Sequence, residues 1–246
     1  MSTALHDTAP TLTPEAPSDG SLPAEAEAAR YALLRRLGPA LRHDLVVHLQ
    51  AVAMMAEVLG ARMERDPDSG SLPPQLARMH LLTRDAVAGA LKVAGWLLPP
   101  EDDAIDLREG LEESLALIRS SLGFRGLQLQ AELPEAGLPV SRERLRHLLL
   151  GALLYLSDQG GTAGALQVRA RPDAGGALLR LALVARETGG AERVLPDEEA
   201  GYRAMRWSDV QALAGDAGAM RRLTPPVVEL RLPRAEARAP LQVAPR

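Results

Sequence analysis

The sequence of 246 residues predicts an α+β protein in which a long helical hairpin precedes an α/β sandwich. Three observations support this. Apolar residues recur at steps of three and four through two long segments that end before Pro99-Pro100. Beyond that point shorter helical patterns alternate with strand-like runs. Finally, 46% of the residues are hydrophobic but only 2% are aromatic, so Leu, Ala and Val must build the core, as in packed helices.

The first helical pattern runs from about Glu25 to Glu64. Its apolar stripe consists of Leu34, Leu37, Leu41, Leu45, Leu49, Val52, Ala56, Leu59 and Met63. Pro39 lies inside the pattern, and because proline removes a backbone hydrogen bond, we expect a kink or a fresh helix start just before His43. Residues 1–24 are rich in Pro, Ser and Thr without an apolar period, which predicts a disordered tail.

A second long helix is expected to follow a loop. The segment Asp66–Pro74 is dense in turn-forming residues, and a helical pattern then continues to about Leu98. The two helices form a hairpin over residues 25–100. Because their apolar stripes are too long to cover each other, we expect a homodimer that forms a four-helix bundle, with Met54 and Met55 in its core.

Residues 101–234 are predicted to form a separate α/β domain. The expected elements are a helix over Leu107–Leu122, a strand over Leu127–Leu133, a helix from about Arg142 to Asp158, strands over Ala165–Ala170 and Ala177–Ala185, a helix over Trp207–Leu213 and a strand over Val227–Leu232. Pro233 is expected to end the last strand, because it has no amide to donate. Residues 235–246 are interpreted as a C-terminal tail.

Composition limits the partners and the compartment. A net charge of −4 and a pI of about 5.8 provide no basic field, so nucleic acid is not an expected partner. The absence of cysteine removes thiolate zinc sites and disulfides and fits a reducing compartment. The chain shows no signal-peptide pattern and no uninterrupted apolar stretch near the roughly 20 residues that span a bilayer. We therefore expect a cytoplasmic protein without membrane contact.

The residues most suggestive of chemistry lie within the first helix. His43 stands two residues from both Leu41 and Leu45, about 200° around the helix from each, so its imidazole is expected to project from the bundle surface. His48 lies about 140° from His43, which is unsuitable for a metal-binding i, i+4 pair. His48, His80 and His147 are interpreted as structural or solvent-facing residues, and no metal site is predicted.

The segment His43-Asp44-Leu45, with Leu49 after it, resembles the phosphoacceptor motif of sensor histidine kinases. Asp106-Leu107-Arg108-Glu109 and the span 144–150 resemble the first two helices of the kinase domain in that family. The resemblance covers about residues 25–234. It implies that His43 accepts a phosphoryl group and that Asp44 orients or polarises its imidazole.

The motifs with which this family binds nucleotide are degenerate in this chain. Gly151 and Tyr155 stand at the positions of an asparagine pair that holds magnesium and phosphates. The segment Glu187-Thr188-Gly189-Gly190-Ala191 stands where the family has Asp-x-Gly-x-Gly, and Arg206-Trp207-Ser208-Asp209 has none of the expected glycines. We therefore expect no cofactor, because ATP binding is lost.

With the acceptor motif present and the nucleotide motifs degenerate, the chain resembles the dimeric histidine phosphotransferases of bacterial phosphorelays. This resemblance implies ATP-independent relay of a phosphoryl group between His43 and a response-regulator receiver domain, which supplies the magnesium. Arg42, Val46 and Val47 would contribute to docking that partner. Val47 also stands where phosphatase-competent kinases carry Thr or Asn, so phosphatase activity is not expected. Two alternatives stay open: a non-catalytic pseudokinase adaptor that binds a receiver domain or a kinase, and a divergent kinase with an atypical ATP pocket.

Overall fold

The computed structural model describes residues 23–65, 72–97, 103–135, 137–159, 164–185, 202–215, 220–223 and 226–235. The elements in this part of the chain are α1 (Ala24–Arg65), α2 (Leu72–Leu97), β1 (Ala104–Asp106), α3 (Leu107–Phe124), β2 (Leu127–Glu132), β3 (Pro139–Ser141), α4 (Arg142–Gln159), β4 (Gly164–Asp173), β5 (Gly176–Ala185), α5 (Trp207–Ala214), β6 (Met220–Leu223) and β7 (Val227–Pro233). A helical hairpin followed by an α/β sandwich confirms the predicted fold class.

The hairpin consists of α1 and α2, which pack side by side. A Cβ atom on Gly89 of α2 would lie 3.1 Å from the His48 ring of α1, so these two residues stand at the same level of the hairpin. The helix α1 is continuous through Pro39. Of the two alternatives expected at Pro39, a fresh helix start before His43 is therefore wrong, because a helix packed on both sides of the proline tolerates one missing backbone hydrogen bond, and the kink stays a prediction.

The sandwich is built on a five-stranded sheet in the order β2-β4-β5-β7-β6, in which only β2 and β4 pair in parallel. The helices α3 and α4 cover one face of this sheet. Along β4 the first five residues alternate between buried and partly buried, which is typical of a strand with one face in the core. The helix α4 is buried on all sides from Leu148 to Ser157 and forms the centre of the domain.

The N-terminal half of α1 completes the core of the sandwich. Its buried residues Ala26, Ala29, Ala32, Leu33, Arg36, Leu37 and Leu41 face the α/β domain, where α1 contacts α3, α4 and α5. Small alanine side chains at steps of three allow this close helix packing. One continuous helix therefore belongs to the core of the sandwich at one end and to the hairpin at the other.

Short strands account for most differences from the predicted elements. The sequence analysis missed β1, β3 and β6, because segments of three or four residues are too short to show a period. Asp106 links two of these strands to α3: its carboxylate accepts hydrogen bonds from the amides of Gly137, Arg108 and Leu138. The hydrogen bond from the Gly137 amide is the main reason that the pKa of Asp106 lies below its usual value. Pro233 is the last residue of β7 rather than the first beyond it.

Several predictions lie outside the described residues. These are the tail over residues 1–22, the loop over residues 66–71, the motif at 187–191 and the tail over residues 236–246. The domain boundaries at residues 24, 100 and 234 stay predictions.

By length and composition alone, α1 could cross a membrane, contrary to the expectation from the sequence, and only 6% of its most apolar window is buried. Most of this apolar window of α1 is therefore in contact with solvent. Asp44 and Glu57 lie on the same helix, and a charged side chain in a bilayer centre costs about 2.5 to 3.5 kcal/mol. The apolar surface of this window is therefore left uncovered among the described residues.

Candidate functional site

His43 lies at the surface of α1, where the helical phase predicts it, with 71% of its side chain exposed. Its Nδ1 is 3.8 Å from the nearest carboxylate oxygen of Asp44, which is too far for a hydrogen bond. Both side chains are exposed enough to turn. The carboxylate of Asp44 is therefore the acidic group next to Nδ1 without being bonded to it.

An apolar strip continues from His43 along α1. Val47, Met54 and Val58 follow His43 by 4, 11 and 15 residues and therefore lie within about 60° of it around the helix. We call these four residues the His43 face. Met54 is 65% exposed and Val47 46%. Met54 therefore lies on the side of α1 that carries His43, and its expected place in the core of a dimer stays a prediction.

A second exposed apolar strip lies on another side of α1. Leu45, Leu49, Ala56 and Met63 recur at steps of four and seven, about 140° around the helix from His43. We call these residues the Leu49 face. Leu49 is 52% exposed and Met63 55%. The side of α1 that contacts α2, marked by His48 and Leu59, lies between the two strips in one direction around the helix. The exposed Val46 lies between them in the other direction.

The remaining predicted site residues flank His43. Arg42 and Val46 are both exposed and lie one turn apart. Val46 stands about 60° around the helix from His43, whereas Arg42 stands about 100° from His43 and about 20° from Leu49. The structure thus brings Arg42, His43, Val46 and Val47 to the surface within two turns of helix. Their roles in catalysis and docking stay predictions.

His43 emerges at the edge of the α/β domain. Arg36 precedes it by seven residues, so the two side chains leave α1 in nearly the same direction, roughly 10 Å apart along the axis. Arg36 is buried against the α/β domain, whereas His43 is exposed. A partner that approaches His43 therefore meets both the hairpin and the border of the sandwich.

A buried cluster of ion pairs joins α1 to the sandwich, and the sequence analysis did not identify it. Asp158, at the end of α4, accepts two hydrogen bonds from Arg36 at 2.7 and 2.9 Å, one from Arg125 at 2.9 Å and one from the amide of Met205 at 2.8 Å. The Arg36 and Asp158 side chains are each only 1% exposed. We call these residues the Asp158 cluster. In the sequence, the one indication of this cluster is Arg36, an arginine among the apolar residues of the first helical pattern.

The positions that correspond to the asparagine pair are occupied by packing contacts. A Cβ atom on Gly151 would lie 2.7 Å from Cδ1 of Leu213, so α5 approaches α4 closely at this point. The ring of Tyr155 packs against that of Trp207, with the ring centroids 5.5 Å apart. Both contacts put α5 against the face of α4 where the resemblance would place magnesium and phosphates.

The start of α5 is fixed by an ion pair. Arg203 donates two hydrogen bonds to Asp209, at 2.6 and 2.8 Å, and the amide of Arg206 donates a third at 2.8 Å. Although burial raises the pKa of Asp209, these hydrogen bonds outweigh it and lower the pKa. The amide of Arg206 is therefore already occupied by a carboxylate of the chain itself. Among the described residues no group of three metal-ligating side chains occurs.

Comparisons with known proteins gave likenesses of fold only. No family model matches the chain, and no curated protein matches it. Solved structures that it resembles include the Acinetobacter baumannii histidine kinase AdeS, with 13% identity over 76% of this chain and 98% of that one and a TM-score of 0.42. A second is a bacterial phosphotransferase, with 17% identity over 86% of this chain and 97% of that one and a TM-score of 0.36.

A third is the histidine kinase ThkA in complex with the response regulator TrrA. Here the identity is 14% over 85% of this chain and 67% of that one, and the TM-score is 0.40. Because these TM-scores are below 0.5 and the identities below 20%, we take nothing about activity from them. The chemistry of this protein has to be inferred from its own residues.

Proposed function

We propose that this protein is a phosphoryl carrier of a two-component phosphorelay, in which His43 exchanges a phosphoryl group with the receiver domain of a response regulator without using ATP. The observation that carries the proposal is the surface of α1: an exposed imidazole beside a carboxylate, at one end of an uncovered apolar strip. Chemistry and docking surface are adjacent, as transfer between two proteins requires.

The proposed step is a transfer between two side chains. Nε2 of His43 attacks the phosphorus of an aspartyl phosphate on the receiver, a P–N bond forms, and the P–O bond to the aspartate breaks with release of its carboxylate. The imidazole gains positive charge as the bond forms. Asp44 would stabilise that charge and hold the remaining proton on Nδ1. Magnesium and the acceptor carboxylate belong to the receiver.

Three features support transfer without ATP. Leu213 and Trp207 pack against α4 at the positions of the asparagine pair, and Asp209 occupies the amide at the start of α5. The Asp158 cluster also fixes the α/β domain to α1 through buried charges. Swinging this domain towards His43 would expose or unpair those charges, which is costly. A fixed domain suits a scaffold better than it suits a mobile catalytic unit.

We further propose that the Leu49 face forms the interface of a homodimer. Leu49 and Met63 leave a large apolar strip in contact with water, and such strips on helices are usually covered by other helices. The His43 face lies on another side of α1 and stays accessible in such a dimer. Light scattering should give twice the chain mass for the wild type, whereas Leu49→Glu should shift the protein towards monomer.

The test of the proposed function is a transfer assay. Purified wild type, His43→Ala and His80→Ala are each mixed with a receiver domain that carries labelled aspartyl phosphate, and separately with labelled ATP. We expect acid-labile label on wild type and on His80→Ala after mixing with the receiver, none on His43→Ala, and none on any variant from ATP. His80 is the matched control because it is an exposed histidine on the other helix.

The outcomes separate the alternatives. Label taken from ATP by the wild type would support the divergent kinase. If a receiver domain binds wild type and His43→Ala equally well and transfers label to neither, the result would support the non-catalytic adaptor. Binding without transfer needs only the exposed apolar strip beside His43. Label transferred to His43→Ala would place the acceptor elsewhere and overturn the assignment.

A further inference from the structure

The described part of the chain contains a cavity at the junction of the hairpin and the α/β domain. It encloses about 360 Å³ between α2, α3 and α4, which is at the lower end of the range for small-molecule sites. The lining residues are Ala88, Leu91, Lys92, Gly95, Glu113, Arg142 and Arg146. We call it the junction cavity.

The charged side chains around the junction cavity leave a net positive charge. Glu113 accepts a hydrogen bond from Arg142 at 2.9 Å and another from Arg146, so one carboxylate is shared by two guanidinium groups. Lys92 adds a third positive charge and forms no ion pair with any described residue. The lining therefore carries a surplus of two positive charges and one apolar wall formed by α2.

Arg146 brings a further unsatisfied group to this site. It is only 7% exposed, donates to the carbonyl of Gly95 at 2.9 Å and lies over the Trp96 ring, with Cζ 4.4 Å from the ring centroid. Its Nε is buried and has no hydrogen-bond partner in the part of the chain that the structure describes. Burying a guanidinium that shares its one carboxylate with Arg142 is costly, and an anion bound in the cavity would lower that cost through its charge.

We propose that the junction cavity binds a small anion with at least two negative charges, a phosphate ester or a dicarboxylate, between Lys92, Arg142 and Arg146. Two surplus cations match two negative charges, and the apolar wall of Ala88 and Leu91 accommodates a short carbon skeleton. The proposal does not depend on phosphotransfer. It adds a site on the α/β side of α2, at a level of the hairpin close to that of His43.

The composition of the chain makes a direct test possible. Among 28 basic residues, Lys92 is the only lysine, so an amine-reactive acylating reagent can modify just Lys92 and the α-amino group of the chain. Peptide mass spectrometry then measures the acylation rates of both amines in the same sample. The assay would compare inorganic phosphate, pyrophosphate and succinate with sodium chloride at the same ionic strength.

We expect at least one of these anions, at ten times its dissociation constant, to slow acylation of Lys92 about tenfold and to leave the α-amino group unaffected. Arg142→Gln should lose this protection. Arg84→Gln is the matched control, because it removes an exposed arginine from α2 outside the cavity, and it should keep the protection. If no anion slows Lys92 acylation, or if both amines slow equally, the proposal is wrong.

A second measurement guards against a variant that folds poorly. The same anion at ten times its dissociation constant should raise the Tm of the wild type and of Arg84→Gln by about 3 to 6 °C, as expected for a ligand that binds only the folded state of a chain this long. Lys92→Gln changes one exposed side chain, so its Tm without anion should match that of the wild type. An undiminished anion-dependent rise in Lys92→Gln would contradict the site.

Discussion

The two ends of α1 have similar apolar content but opposite surroundings. From Ala26 to Leu41 the apolar side chains are buried in the core of the sandwich, whereas from Val46 to Met63 most of the large ones are exposed. The first half is covered by the chain itself, whereas no described residue covers the exposed side chains of the second half. The stability of α1 therefore depends mainly on its first half.

The largest expected effect tests how firmly the first half is held. Asp158→Ala leaves Arg36 buried without its carboxylate, beside a second guanidinium from Arg125. We expect the free energy of unfolding to fall by about 3 to 5 kcal/mol, as is typical when one partner of a buried pair is removed. Urea denaturation followed by circular dichroism measures this change.

The matched control for this change is Glu132→Ala. Glu132 pairs with Arg169 on the exposed face of the sheet, where an ion pair contributes about 0 to 1 kcal/mol. Similar losses in the two variants would mean that the Asp158 cluster does not hold α1 to the sandwich.

A pair of identical substitutions compares the two kinds of apolar surface. Leu153→Ala removes a fully buried side chain from α4 and should cost about 2 to 5 kcal/mol at any protein concentration. Leu49→Ala removes an exposed side chain from the Leu49 face. Its cost should appear in the dissociation constant of the dimer, so its Tm should fall below that of the wild type at concentrations where the wild type is dimeric and approach it on dilution. Analytical ultracentrifugation checks this second expectation, and an unchanged dissociation constant would contradict it.

The free energy of unfolding should also depend on pH through a buried histidine at the contact between α1 and α4. Burial of His147, with Arg30 and Arg146 nearby and opposed by Asp103, lowers its pKa to about 4. Glu143 is the other charged group close to it, 3.8 Å from Nδ1. Since the pKa of an unfolded histidine is about 6.5, the unfolded chain binds a proton that the folded chain excludes between these two values. This contribution to stability is complete above about pH 6.5 and is lost as the pH falls towards 4, by about 3 kcal/mol in total.

The measurement is the free energy of unfolding at pH 7 and at pH 4.5, for wild type and for His147→Gln. The variant should lose less stability over this interval than the wild type, because it removes one group that takes up a proton on unfolding. Equal losses would mean that His147 is protonated in the folded protein.

The smallest expected effect concerns the exposed half of α1. Met54→Glu places a charge in the middle of the His43 face and should weaken binding of a receiver domain by about 10- to 100-fold, equivalent to about 1.4 to 2.8 kcal/mol. Met63→Glu, on the Leu49 face, should instead weaken the dimer. The resulting monomers should bind the receiver domain as tightly as the wild type does. Calorimetric titration of both variants checks this division, which would be wrong if Met54→Glu disrupted the dimer instead.

Sequence periodicity sufficed for the long elements and for the exposure of His43, because a helix of this length repeats its pattern many times. It did not show which apolar side chains stay exposed once α1 and α2 pack. Met54 shares the helical phase of His43, the structure adds that it is 65% exposed, and its place in a dimer core stays a prediction. The Asp158 cluster was missed for a different reason: its charged residues lie far apart in sequence and meet only in the folded chain.

The position of Pro39 has a mechanical consequence. It lies between the buried Leu37 and Leu41, close to where α1 leaves the sandwich, and it deprives the carbonyl of Arg35 of its usual helical partner. With one hydrogen bond fewer, this turn has the lowest bending stiffness of the helix. A partner that pushes against His43 should therefore bend α1 by a small angle at Pro39, while Arg146, which donates to the carbonyl of Gly95 at 2.9 Å, keeps the end of α2 on α4 and the sandwich close to its position beside His43.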